Sequence, residues 1–220
     1  YEASNAYAHM TDSMKEMVSE SNRHYVRSMQ ELNRMASRWE DSNRLEQVVW
    51  RKDALRMTAH MNWYRAIEKV DANGVVRWVE PFNGNESALN LNLMFESNRR
   101  DMLQSARLAD TNTLSAPVDL VQGSKGILMV SPLFLNDREF DGYMLAVFNV
   151  DSFFRYVIGE VFTRQFRVEV QYKGEVIFES EPTIVNRIVG DKSVDSLLVM
   201  PGYTLHVYPK SALLKDYRSN

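Results

Sequence analysis

Apolar positions near the N-terminus recur at helical spacing. Met10, Met14, Met17, Tyr25, Met29, Leu32, Ala36 and Trp39 follow about a 3.5-residue repeat, with Ser21 and Ser28 as polar interruptions on the same stripe. The first 73 residues hold neither glycine nor proline, so the strongest helix breakers are missing from the whole region. The pattern predicts a helix over residues 3–39, about 55 Å long at ~1.5 Å per residue. That is longer than a small domain needs, and its stripe has two readings. Near Trp39 it packs on its own domain. Over the N-terminal half it forms the seam of a parallel homodimer, since a helix projecting past a compact body needs another partner. A break follows at 39–43, with Asp41 or Ser42 placed to cap a second helix through Leu45, Val48, Val49, Leu55 and Ala59 to about Met61.

The period then shortens to alternation. Runs at 64–70 and 75–79 flank Asp71, Ala72, Asn73 and Gly74, a turn sequence, and predict a hairpin. Residues 80–92 carry the amides Asn83, Asn85, Asn90 and Asn92. Such a segment is either a loop held by its own amides or a lid over a pocket. Residues 98–109 predict a helix capped by Ser97, with Met102, Leu103, Ala106 and Ala109 on one face. Strand-like runs follow at 114–121, 127–134 and 142–150, the first two separated by a loop containing Gly123 and Gly126. The hairpin and these runs make a five-stranded antiparallel sheet. A helix over 151–162 has an apolar face of Phe153, Phe154, Val157, Ile158 and Val161. Two more hairpins, 166–171 with 175–180 and 197–200 with 203–208, turn at Lys173-Gly174 and Pro201-Gly202. Residues 211–220 begin a last helix.

Composition narrows the function classes. At 220 residues and 45% hydrophobic, the chain can bury one substantial core or two small ones. The absence of cysteine excludes thiolate metal sites and disulfides. A net charge of −3 with both signs interspersed argues against a nucleic-acid surface. His9, His24, His60 and His206 show no paired ligand spacing, no nucleophile elbow or phosphate-cradling glycine loop occurs, and Asp137 and Glu139 read as a solvated turn. Neither an enzyme activity, a cofactor nor a metal is expected. There is no 18-residue apolar run and no signal-peptide pattern, and the first residue is Tyr1, so the chain reads as a piece of something longer.

The order and spacing of Arg99, Ala106, Ser115, Pro117, Gly126, Ser131 through Phe134, Gly142-Tyr143 and Phe148 through Ser152 resemble the CHASE family of extracytoplasmic sensor domains. The similarity is densest over about 55 residues and reaches back weakly to about Trp50. It implies an α+β fold: a long N-terminal helix followed by two PAS-like antiparallel-sheet lobes. The expected division is a helical stalk and second helix over 1–61, a membrane-distal lobe over 62–150, a connecting helix over 151–162, a membrane-proximal lobe over 163–209 and an exit helix from 210. Position by position, the cytokinin-receptor branch of the family places its purine-binding carboxylate at Asn98, a main-chain contact at about Val121, a threonine at Val130 and a tyrosine at Tyr143. The lost carboxylate and hydroxyl make a cytokinin an unlikely ligand. The candidate pocket is Asn98, Ser115, Val121, Met129, Val130, Tyr143 and Ala146, with Ala146 on the strand face of Tyr143; the same residues could equally pack the core. The resemblance implies a small-molecule sensor in the periplasm, joined through flanking spans to an inner membrane, with a histidine kinase or a cyclic-di-GMP synthase or hydrolase as output. A module that senses a periplasmic binding protein is the other reading.

Overall fold

Helix α1, Glu2–Asp41, runs through the glycine- and proline-free region as the spacing predicts. The computed structural model describes residues 2–120, 124–181 and 195–210. Two compact units divide it: residues 26–153 form one, and residues up to 25 together with those from 154 form the other. The predicted helix at 211–220 lies outside the described residues.

In the larger unit, α1 buries Ser28, Leu32, Met35, Ala36 and Trp39, one stripe at three- and four-residue spacing. Helix α2, Gln47–His60, starts from Glu46 and has no side-chain cap. Asp41 lies within α1, so neither it nor Ser42 caps α2. Its buried face is Trp50, Asp53, Ala54 and Met57, whereas Val48, Val49 and Leu55 are exposed. The apolar positions marked in the sequence were thus the wrong stripe; the buried carboxylate Asp53, paired with Arg38, disguised the right one.

Strands β1, Tyr64–Val70, and β2, Val76–Glu80, form the first hairpin, closed by Asp71 Oδ1 accepting from the N–H groups of Asn73 (2.9 Å) and Val75 (3.0 Å). Short turns at Glu86–Ala88 and Leu93–Phe95 lead to α3, Ser97–Ala109. The cap of α3 is Glu96, not Ser97: its carboxylate accepts from the N–H groups of Asn98 and Arg99. Met102, Leu103 and Ala106 are buried, and Ala109 is exposed.

The run expected at 114–121 is broken. It supplies only β3, Thr113–Leu114, and β4, Val118–Asp119, because Pro117 between them has no N–H to pair. The long strands β5, Lys125–Phe134, and β6, Phe140–Asn149, complete a sheet of order β2-β1-β6-β5-β3, with β4 also paired to β5. Gly142 opens β6 at φ +105°, and a Cβ there would meet Val70 O at 2.1 Å, so only glycine lets β6 lie against β1.

Helix α4, Val150–Ile158, ends at Gly159 (φ 73°), and α5, Glu160–Gln165, restarts beyond it, which splits the single helix expected at 151–162. Val161 is consequently exposed rather than on the buried face. In the smaller unit, β7, Phe166–Tyr172, β8, Glu175–Glu179, β9, Asp195–Met200, and β10, Tyr203–Pro209, form a separate antiparallel sheet of order β8-β7-β10-β9. Phe166, Val168, Val170, Phe178, Leu205 and Val207 are buried, and Phe154 packs on Phe178 with ring centroids 5.6 Å apart. Met14, Met17 and Ser21 of α1 are buried within this chain too. The argument that this stripe needs a second copy therefore fails for these residues, which already have an apolar environment.

Candidate functional site

The strands of the larger sheet are two-sided. Even positions 66, 68 and 70 of β1 share a face with Leu128 and Val130 of β5 and with Tyr143, Leu145 and Val147 of β6, and α3 packs there through Met102, Leu103 and Ala106. On the opposite face lie Ile67, Met129, Met144, Ala146 and Phe148, with Trp50 Nε1 of α2 donating to Met144 Sδ at 3.0 Å.

A cavity of about 70 Å³ remains on the α3 face. Its floor is Ala66, Glu68, Leu128 and Val147, its rim is formed by Gly84, Asn85, Ser87, Ala88 and Leu91 of the loop after β2, and Arg65, Leu93, Arg99, Asp119 and Leu120 close its sides. The loop is held by its own polar groups and also lines this cavity. Asn85 Nδ2 donates to Pro81 O (2.7 Å) and Arg65 O (3.2 Å), Asn92 Oδ1 accepts from Met94 N–H, and Asn90 N–H donates to Val76 O at 2.9 Å.

Glu68 is the chemical anomaly of this wall. It is 7% exposed, and among the described residues its carboxyl makes neither a hydrogen bond nor an ion pair. Burial pushes this carboxyl up to about 7, against the opposing pull of the Arg99 charge. Arg99 reaches Asp119 O through Nη2 (3.3 Å) and stands 3.7 Å from Glu96 Oε2, but its Nε is buried and makes no hydrogen bond. The site therefore offers one anion and one cation, each short of partners, in an otherwise apolar hollow.

The residues selected from the sequence do not assemble into a pocket. Asn98 is exposed at the start of α3, where only its backbone is engaged. Ser115 is buried and structural: its Oγ accepts from Leu128 N–H at 2.9 Å and donates to Ala116 O. Met129 and Ala146 pair with each other on the face away from α3, so Ala146 does not share the face of Tyr143. Val130 and Tyr143 do face α3 but are core; Tyr143 is 1% exposed, sits edge-on to Phe140 at 5.0 Å, and has its hydroxyl pushed up to about 12 by burial. Val121 lies outside the described residues. Alternation itself carried the missed signal, because it places Glu68 between Ala66 and Val70 on the inward face of β1, where an acid is out of pattern.

A long leading helix followed by two antiparallel sheets makes up the fold. Three solved structures share the fold. The ligand-binding domain of the Campylobacter jejuni chemoreceptor Tlp3 in complex with L-norvaline matches at 10% identity and TM-score 0.67, covering 96% of this chain and 92% of that one. The extracellular domain of the proposed histidine kinase rpHK1S-Z16 matches at 11% identity and TM-score 0.62, covering 93% and 94%. An extracellular ligand binding receptor from Desulfohalobium retbaense matches at 14% identity and TM-score 0.64 over 87% of this chain, which spans 39% of that protein. No sequence among curated proteins matches. The CHASE domain family model matches residues 16–179, and the chain belongs to that family. It is a sensor domain that works outside the cytoplasm. Among the described residues no helix is long and apolar enough to cross a membrane.

Proposed function

We propose that this chain is the ligand-sensing part of a transmembrane receptor, that the cavity beneath the 80–92 loop takes a small molecule, and that the signal passes to a histidine kinase or a cyclic-di-GMP synthase or hydrolase. The chain itself carries no catalysis in this reading. The unit of residues 26–153 is the membrane-distal lobe, and flanking spans hold the receptor in an inner membrane with this segment in the periplasm. Signalling runs through a homodimer, whose contacts must use surfaces of α1 other than the Met14, Met17 and Ser21 stripe.

The observation that carries the reading is Glu68: a buried, unpartnered carboxyl on the wall of a cavity is destabilising, and a ligand that satisfies it recovers that loss. The fold shared with a chemoreceptor domain that binds L-norvaline supports it. Thermal-shift screening against amino acids, organic acids and nucleobases tests it. A binder should stabilise the chain by about 2.7 kcal/mol at a hundredfold excess over its Kd, and Ala88→Trp, which fills the cavity from its rim, should remove the shift. A screen with no shift from any compound rejects the reading.

A second reading has its own observation. Phe82, Leu89, Leu91 and Phe95 are all exposed within one segment, Phe95 at 87%, and such apolar exposure suits docking of a periplasmic binding protein.

A further inference from the structure

Resting on the small-molecule reading of this cavity, we infer that its ligand is a small zwitterion, held with an ammonium group on Glu68 and a carboxylate on Arg99. Three features of the wall lead there. First, the two charged groups come from different elements, β1 and α3, and they are not in contact: no ion pair joins them, although each lines the same hollow. A ligand carrying both complementary charges bridges the gap and satisfies both at once, whereas an amine alone or an acid alone leaves one of them unpaired.

Second, the remaining charges of the wall are already engaged. Arg65 donates through Nη2 to Gly84 O. The Asp119 carboxylate points outward to Lys125 at 2.9 Å and is 83% exposed. Glu96, outside the wall, is committed to the N–H groups that open α3, with one oxygen 3.7 Å from Arg99. Among the described residues Glu68 is the charge of the wall with neither a hydrogen bond nor an ion pair, while Arg99, bonded to Asp119 O and 3.7 Å from Glu96, keeps an Nε that makes no hydrogen bond. Third, size is restrictive. A cavity of about 70 Å³ has room for roughly five water molecules, or a ligand of about that many heavy atoms. Glycine and alanine are of that size; a purine is not. Ala66, Ala88, Leu93, Leu128 and Val147 supply the apolar wall that a short side chain would meet.

Binding should also be linked to protons. With its carboxyl held near 7, unliganded Glu68 is part-neutral at neutral pH, and an incoming ammonium drives it to the charged form. Arg99 from α3 acts on it directly, Arg65 from its own strand and Asp119 from β4 line the same cavity, and Glu96 stands 3.7 Å from Arg99. Proton release on binding should come from Glu68, whose carboxyl is the group that the ammonium meets.

Isothermal titration calorimetry on the whole chain tests the inference with six probes: glycine and alanine, acetate and propionate, methylamine and ethylamine. Glycine or alanine should bind at least tenfold more tightly than either monofunctional partner. Affinity should rise about tenfold between pH 6 and pH 8, following ionisation of one group near 7. At pH 6.5, repeating the titration in buffers of different ionisation enthalpy should show a proton released. Glu68→Gln should abolish both the binding and the proton release, and Arg99→Gln should abolish the preference of zwitterion over amine; thermal melts of both variants establish that they fold. Propionate binding as tightly as alanine, unchanged affinity in Glu68→Gln, or affinity that rises on acidification would each overturn the zwitterion. Where none of the six probes binds but the wider screen finds another compound sensitive to Ala88→Trp, the ligand class is wrong and the small-molecule reading stands. Where neither binds, both fall.

Discussion

Glu68 and Lys69 are neighbours in β1, both buried and both charged, and they face opposite sides of the sheet. Lys69 is fully occupied. Its Nζ donates to Val70 O (3.0 Å) and Asp141 O (2.8 Å), lies 4.8 Å from the centre of the Trp39 ring, and is 4.0 Å from the Asp141 carboxylate. That carboxylate also accepts from Trp39 Nε1 at 2.8 Å and from Arg44 at 2.7 Å. Burial lowers the Lys69 ammonium to about 8, with Asp141 opposing the shift. Glu68, one residue earlier, makes neither a hydrogen bond nor an ion pair among the described residues. The difference teaches where stability and function have been separated. The face toward α1 and α2 is filled with Trp39, Trp50, Met129, Met144 and Phe148 and its charge is neutralised, whereas the face toward α3 keeps small residues, empty space and an uncompensated acid.

Truncation should expose that asymmetry most strongly. Trp50 is 1% exposed and bonded to Met144, so Trp50→Ala should cost about 3–5 kcal/mol in a urea titration. Leu128→Ala, at a side chain that already borders the cavity, should fall near the low end of its class, about 2 kcal/mol. Equal costs would mean the two faces are packed alike.

Glu68→Gln gives the next largest effect, with the opposite sign. A carboxyl at about 7 in the folded chain against an ordinary value of 4.5 means that the folded state holds the proton through that window. Stability therefore falls as pH rises from 4.5 to 7, and the loss is complete above it. The variant has no such slope, so it should be more stable than wild type at pH 8, by on the order of 3 kcal/mol, and equal to it near pH 4. A variant that is less stable at pH 8 would show that Glu68 has a partner after all.

The smallest effect should come from Phe95→Ser. At 87% exposure it should change stability by less than about 0.5 kcal/mol. It should leave small-molecule binding untouched, so loss of the ligand-induced thermal shift in this variant would move the functional surface from the cavity to the exposed segment.

Local pattern was enough for much of the molecule. The missing glycines and prolines gave α1, the turn residues gave three hairpins at their observed places, and the spacing of Gly142-Tyr143 with the following strand carried the family resemblance. Each of these depends on backbone preferences between residues near in sequence, which the chain states directly. What sequence patterning misread were matters of partner. It chose the exposed stripe of α2, assigned Met14 and Met17 to another chain, and gathered Asn98, Met129 and Ala146 into one pocket. The cavity depends on how far the 80–92 loop stands from the sheet, and on Arg99 ending opposite Glu68 without touching it. Those are distances between elements remote in sequence, and only the packed sheet, loop and helix decide them.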